Sequence, residues 1–137
     1  MIPTLTSPFG ARIHPVTGER KQHNGIDLAA PTGTPLRVIE GGAVSRIDVD
    51  GVGKGKWNGN AVTITAPSGR RWTYCHLHTV AVRAGQLVQA GALIGAVGST
   101  GVSTGPHLHL ALQVPTPEGL AYADPLPLLP PDSYRRK

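Results

Sequence analysis

Apolar and polar residues alternate along most of the chain, which is the period-2 pattern of half-buried β-strands. The segments that show this pattern lie, in chain order, over residues 36–50, 61–65, 71–76, 82–101 and 107–114. The first contains a bend at Gly41 and Gly42 and therefore predicts two strands. The second and third predict a hairpin, and residues 107–114 predict the last strong strand.

The remaining segments predict irregular structure. Residues 1–35 are rich in proline and glycine and read as turns, and residues 50–60 read as a flexible Gly/Lys loop. Residues 115–137 contain six prolines and predict an irregular tail that lies on the surface or frays. No helix longer than a turn or two is predicted. The pattern therefore indicates a mainly β fold with one domain over residues 1–114.

Composition and charge narrow the function. A length of 137 residues suits one domain, and 18 glycines and 13 prolines agree with short strands and tight turns. The net charge of +5 favours an anionic partner, but an aromatic content of 4% is too low for base stacking, so we expect no nucleic acid. The single cysteine excludes an intrachain disulfide. We expect no membrane span and find no signal-peptide pattern at the N-terminus.

The histidines carry the candidate chemistry. Four of the six form two His-x-His units, at His76 and His78 and at His107 and His109. Residues i and i+2 of a strand share a face, so both imidazoles of a unit can reach one metal, or one can bind it while the other works beside it. A fifth histidine, His23, precedes an aspartate by four residues in "HNGID". Two histidines and a carboxylate with an open fourth position form the ligand set of a catalytic zinc site.

Other residues have simpler interpretations. His14 is interpreted as a structural hydrogen-bonding residue, and Cys75 as a small core residue. His78 is interpreted as a surface residue at the end of a strand. It is also the main rival for a ligand role, because its unit looks like the one at His107.

Three separated motifs and a glycine-rich approach to the last one occur in a familiar order: "HNGID", "TYCHLH" and "GPHLHLAL". Over residues 7–114 the sequence resembles the M23 family of zinc endopeptidases, the lysostaphin- and LytM-like enzymes. The resemblance implies a single domain with a central antiparallel β-sheet, of the duplicated-hybrid-motif type, and a substrate groove between loops.

The family motifs imply a role for each matching residue. They make His23, Asp27 and His109 ligands of one Zn²⁺ per chain, and they make His76 and His107 catalytic residues that stand unligated beside the metal. Which of these two histidines acts as the base stays open. Tyr74 belongs to the second motif, and we expect it to contact the substrate. The Gly/Lys loop predicts two further substrate contacts, Lys56 and Trp57.

The implied function is hydrolysis of peptide bonds in the cross-links or stem peptides of bacterial peptidoglycan. The alternative is a non-catalytic wall-binding or amidase-activating module, but no ligand or catalytic position of the motifs is lost here. We expect a monomer that acts on the cell wall, outside the cell or in the periplasm, with anionic wall polymers as further partners. Since no signal peptide is found, we expect delivery by a phage or virion, or a fragment of a larger protein. The bond that is cleaved stays open.

Overall fold

The protein is a mainly β structure, as predicted. A computed structural model describes residues 2–13, 20–101, 103 and 105–136. The strands of the described part are β1 Thr4–Ser7, β2 Gly10–Ile13, β3 Arg20–His23, β4 Ile26–Ala29, β5 Pro35–Arg37, β6 Gly42–Asp48, β7 Asn60–Thr65, β8 Arg71–Val80, β9 Leu87–Val88, β10 Leu93–Val97, β11 His107–Thr116, β12 Gly119–Ala123 and β13 Arg135–Arg136. The helical elements are a one-turn helix, α1 Gly55–Asn58, and a 3-10 turn, Leu126–Leu128.

One large sheet dominates the fold. Its strands follow the order β13-β1-β4-β11-β8-β7-β6-β9, while β12 extends from β11 and β10 joins β5 to β8. The described pairs are antiparallel except for β1 with β13. A separate two-stranded sheet holds β2 and β3. The central antiparallel sheet expected from the sequence is therefore present, with β11 and β8 side by side at its middle.

The two faces of this sheet differ in chemistry. On β11, Leu108, Leu110 and Leu112 are buried in one hydrophobic core, where Trp72 of β8 also packs. Burial of each such side chain stabilises the fold by about 1.5–3 kcal/mol. Because side chains alternate along a strand, His109 projects to the other face. The buried leucines thus fix which face carries the histidines.

Three segments that the sequence predicts to be irregular contain regular secondary structure. The turn-rich N-terminal part includes β1 to β4, which are each four residues long, and the Gly/Lys loop contains the one-turn helix α1. The irregular conformation predicted after residue 114 was wrong for residues 115–116, 119–123 and 135–136, which belong to strands. Proline is tolerated in edge strands, so a high proline content did not prevent pairing there. Pro125 and Leu129 are buried and anchor this segment.

No helix in the described ranges is both long enough and apolar enough to cross a membrane.

Candidate metal centre and active site

Three potential metal ligands meet at the edge between β3, β4 and β11. His23 is the last residue of β3, and a two-residue turn leads to β4, which carries Asp27. Strand β11 pairs with β4 in a register that sets His109 opposite Asp27. Gly25 permits this close approach, because a Cβ there would lie 2.5 Å from the carbonyl oxygen of Leu110.

The donor atoms of these three residues are close enough to share one ion. The His109 Nδ1 atom lies 2.9 Å from Asp27 Oδ1, and the His23 Nε2 atom lies 3.5 Å from Asp27 Oδ2. One nitrogen or oxygen from each residue falls within 4.8 Å of the others. All three side chains are partly exposed, so an ion and a further ligand have access. Two imidazoles and one carboxylate fit a zinc ion with an open coordination position.

Hydrogen bonds fix the orientation of the His23 imidazole. Its Nδ1–H donates to the carbonyl oxygen of Pro8 at 2.9 Å, and the hydroxyl of Ser7 lies 3.3 Å from the same nitrogen. With Nδ1 engaged in this way, Nε2 is the nitrogen that faces Asp27. Metal-binding histidines generally pass their second N–H to a carbonyl or carboxylate in this way.

Asp27 is held in its charged form. Burial alone would raise its pKa, but hydrogen bonds from His109 and His23 and their charges outweigh burial and hold the pKa well below its usual range. A carboxylate must be deprotonated to bind a metal. The surroundings of Asp27 therefore keep it in the state that a metal ligand needs.

His76 reaches the same site through an irregularity in β8. Three residue steps of β8, from Tyr74 to Leu77, oppose two steps of β7, so β8 carries a bulge there. His76 lies in this bulge with φ = 68°, and no other non-glycine among the described residues has a positive φ. The bulge breaks the alternation of β8, and four consecutive residues, 74–77, are buried.

The bulge fixes the ring of His76 and its tautomer. The side chain is 7% exposed. Its Nδ1–H donates to the carbonyl oxygen of Thr100 at 2.6 Å, so Nε2 remains as the basic nitrogen. Burial lowers the pKa of His76, and the neighbouring His107 and His109 lower it further, against the hydrogen bond to Thr100 and the charge of Asp27, which raise it. The imidazole is therefore kept neutral and able to accept a proton.

His107 faces His76 across the site. Its Nδ1–H donates to the carbonyl oxygen of Gly105 at 2.8 Å, and the hydroxyl of Ser103 lies 3.2 Å away. Its Nε2 atom lies 3.7 Å from Asp27 Oδ1. The ring centroids of His76 and His107 are 4.8 Å apart. Two neighbouring imidazoles thus lie beside the His23/Asp27/His109 cluster. Each has Nδ1 bound to a backbone carbonyl, and Nε2 is left as the basic nitrogen.

Two depressions meet at the cluster. The larger is a groove of about 340 Å³ that includes Asn24 and His109 and extends over the polar face of the sheet. The smaller has a volume of about 200 Å³ and includes Asp27, His107 and Pro106. The two depressions thus border the His23/Asp27/His109 cluster, one at His109 and the other at Asp27.

The other predicted residues lie in different places. His78 is exposed on β8 and is not part of the cluster, which agrees with its interpretation as a surface residue. Lys56 and Trp57 are exposed on α1. Two residues next to them in the chain, Lys54 before α1 and Asn58 at its end, line the larger groove. Cys75 is buried, as expected. His14 lies outside the described residues.

The interpretation of Tyr74 as a substrate contact was wrong. Its side chain is 1% exposed, and its hydroxyl accepts a hydrogen bond from the backbone N–H of Ile39 at 3.1 Å. Burial raises the pKa of the Tyr74 hydroxyl. Tyr74 therefore belongs to the core.

The sequence pattern did not reveal the groups that orient His76 and His107. These groups are backbone carbonyls, at Thr100 and Gly105, and a carbonyl carries no residue-type signal. The loop at Thr100 is itself held in place, because the Thr100 hydroxyl donates to the carbonyl of Leu77 at 2.8 Å and accepts from the N–H of Asn60 at 3.1 Å. Gly59 packs so tightly against Thr100 that a Cβ there would lie 2.3 Å from its hydroxyl oxygen.

Known proteins are similar to this chain in sequence and in fold. The DD-carboxypeptidase/endopeptidase Mpg of Neisseria meningitidis is 40% identical over 88% of this chain and 29% of its own length. The peptidoglycan DD-endopeptidase ShyC of Vibrio cholerae is 41% identical over 72% of this chain and 22% of its own length. A zinc-containing peptidase from Vibrio cholerae superposes with a TM-score of 0.75 and 35% identity, covering 90% of this chain and 36% of that one.

The chain spans less than a third of the length of these curated relatives. Within that span, the model of peptidase family M23 matches residues 21–121, which include all five histidine and aspartate residues of the site. The match covers most of the chain. The chain belongs to peptidase family M23.

Proposed function

We propose that this chain is a zinc-dependent endopeptidase that hydrolyses peptide bonds in bacterial peptidoglycan, in cross-links or in stem peptides. The observation that carries the proposal is the meeting of a His/Asp/His cluster with two further histidines, which have their Nδ1 atoms engaged and their Nε2 atoms left basic. The relative ShyC, which is named a peptidoglycan DD-endopeptidase, supports the substrate.

His23, Asp27 and His109 would hold one Zn²⁺ per chain, through Nε2, a carboxylate oxygen and Nδ1 respectively. When bound, zinc supplies a Lewis acid that polarises the scissile carbonyl and lowers the pKa of a water nucleophile. The negative charge of Asp27 offsets part of the charge of the ion. The hydrogen bond from His23 to the carbonyl of Pro8 holds the imidazole in the tautomer that binds.

His76 and His107 perform the proton transfers. Each ring has Nδ1 bound to a backbone carbonyl, so Nε2 is the nitrogen that reacts. One histidine accepts the proton of the attacking water at Nε2, and the other, when protonated on both nitrogens, donates from Nε2 to the oxyanion or to the departing amine. Their 4.8 Å ring separation lets both contact the reacting groups of one peptide bond.

The two depressions support cleavage within a peptide, and not at its end. The substrate would fill the groove on the His109 side and the smaller depression on the Asp27 side, with the scissile bond above the cluster. Trp57 is 68% exposed on α1, beside the groove wall, so Lys56 and Trp57 remain candidates for contacts with peptide or glycan. The basic surface favours association with anionic wall polymers. The protein would act as a monomer on the cell wall.

The proposal is tested by measuring zinc content and hydrolysis on the same preparations. Zinc is measured by plasma mass spectrometry, and the products of purified sacculi are separated by liquid chromatography. We expect one zinc per chain in the wild type and in His107→Ala, with hydrolysis by the wild type alone. His109→Ala removes one of three ligands and should lose both zinc and hydrolysis. His78→Ala is the matched control, because it removes an exposed histidine from the same strand as His76, and it should keep both.

A zinc-loaded wild type that releases no peptide product from sacculi of any cross-link type would reject the enzyme in favour of a wall-binding or activating module. Loss of zinc from His78→Ala would show that the wrong His-x-His unit had been assigned.

A further inference from the structure

The polar face of the sheet forms the floor of the larger groove, and its residues stand in rows across the strands. The register of β11 and β8 pairs His109 with Cys75, Ala111 with Thr73, and Gln113 with Arg71. These residues all line the groove. The groove therefore runs along the strands, away from the metal cluster, and reaches Arg71 two rows later.

Most polar groups on this floor already have partners. The hydroxyls of Thr63 and Thr73 lie 3.1 Å apart and bond to each other. The Arg46 Nε–H donates to the carboxylate of Asp48 at 2.8 Å, which neutralises the charge of both groups.

Arg71 has no such partner in the described part of the chain. Its side chain is exposed, and among the described residues no hydrogen bond or ion pair engages its guanidinium. Lys54, on the groove wall, also carries a charge with no ion-pair partner in the described ranges. Among the described residues that line the groove, the only carboxylate is that of Asp48, and it is already paired with Arg46. Arg71 thus places an unpaired positive charge, among the described residues, at the end of the groove remote from His109.

We propose that Arg71 binds a carboxylate of the substrate peptide and thereby selects acidic peptides, an inference that rests on the proposed peptidase function. A guanidinium presents a planar pair of donors that matches a carboxylate. Cys75 lies level with His109, and Arg71 lies four residue steps away along β8. At the usual rise of a strand this is a span of about 13 Å. An extended peptide covers that span in about four residues, so the carboxylate lies about two to four residues from the scissile bond once the arginine side chain leans toward it.

The test uses a synthetic cross-linked peptide dimer of the stem-peptide type in three forms. One has free carboxylates, one has its side-chain carboxylates converted to amides, and one has its C-terminal carboxylates converted to amides. The zinc-loaded wild type and the variants Arg71→Gln and Arg71→Lys are compared. Arg83→Gln is the matched control, because Arg83 is exposed and lies outside the groove.

For the free-acid peptide we expect Arg71→Gln to raise KM about tenfold with kcat unchanged, which is the effect of losing one charged hydrogen bond. Arg71→Lys should recover part of this loss. One of the two amidated peptides should show the same rise in KM with the wild type, and Arg71→Gln should add nothing to it. The peptide that behaves this way identifies whether the side-chain or the C-terminal carboxylate is bound.

Two results would overturn the role of Arg71 and leave the peptidase function intact. In the first, the wild type has equal KM values for all three peptides. In the second, Arg71→Gln raises KM tenfold on every peptide. If the wild type hydrolyses none of the peptides, the proposed function fails. The assignment of Arg71 is then decided by calorimetric titration of the same three peptides into the wild type and Arg71→Gln. A difference in Kd confined to peptides with the free carboxylate supports it, and its absence rejects it.

Discussion

The left-handed backbone conformation at His76 predicts that glycine at this position is more stabilising than alanine, which is the reverse of the order in an ordinary strand. In an ordinary strand, glycine is less stable than alanine by about 0.5–1 kcal/mol, because glycine loses more backbone freedom on folding. His76 has φ = 68°, where any residue with a Cβ pays about 1–2 kcal/mol that glycine does not. We therefore expect His76→Gly to be more stable than His76→Ala by about 0.5–1 kcal/mol. Both variants lose the same imidazole and the same hydrogen bond to Thr100, so these losses cancel in the comparison.

The assay is equilibrium unfolding in urea, in the presence of a chelator so that metal binding does not contribute. The same pair of substitutions at His78 is the control. His78 lies two residues further along β8, is exposed, and does not have a positive φ. There His78→Ala should be the more stable variant, by about 0.5–1 kcal/mol. The reasoning is refuted if His76→Ala is as stable as His76→Gly, or if the two positions give the same sign.

Two further predictions concern packing and pH. Gly25→Ala would set a Cβ 2.9 Å from the ring of His109, so we expect zinc affinity to fall about tenfold in competition with a chromophoric chelator. Gly105→Ala, where a Cβ meets no heavy atom within 4 Å, should keep its affinity, and equal losses at both glycines would contradict the packing argument. Burial acts to raise the pKa of Glu40. Hydrogen bonds from Trp72, Ser68 and Arg70, together with the charge of Arg70, outweigh burial and lower this pKa. A group with a lowered folded-state pKa stabilises the fold above its usual pKa and loses this effect as pH falls, so the wild-type Tm should fall more steeply than that of Glu40→Gln below pH 4.5. Parallel Tm curves for these two proteins would reject the role of Glu40.

The sequence predicted the site best where alternation is regular. On β11, Leu108 and Leu110 are buried on one side, so the placement of His107 and His109 on the other face follows from period 2 alone. The alternation of β8 stops at His76, and no pattern in "TYCHLH" indicates a bulge. The role of His76 therefore came from resemblance and not from periodicity.

Other features leave little trace in a sequence. Strands β1 to β4 each span four residues, too few for a clear alternation between proline and glycine positions. The buried place of Tyr74 depends on the N–H of Ile39, a partner 35 residues away that no local pattern reveals. The free charge of Arg71 becomes visible only when the register shows which neighbours are already paired.

The wide separation along the chain of the three proposed metal ligands determines when the site appears during folding. His23 and Asp27 are four residues apart, but His109 follows Asp27 by 82 residues. Closing a loop of that length costs about 4 kcal/mol of chain entropy before the contacts between β4 and β11 repay it. Pairings between such distant segments are the slow part of β-sheet folding. A chain still emerging from synthesis would offer an incoming ion two ligands at most, and the third arrives only when the centre of the sheet is complete.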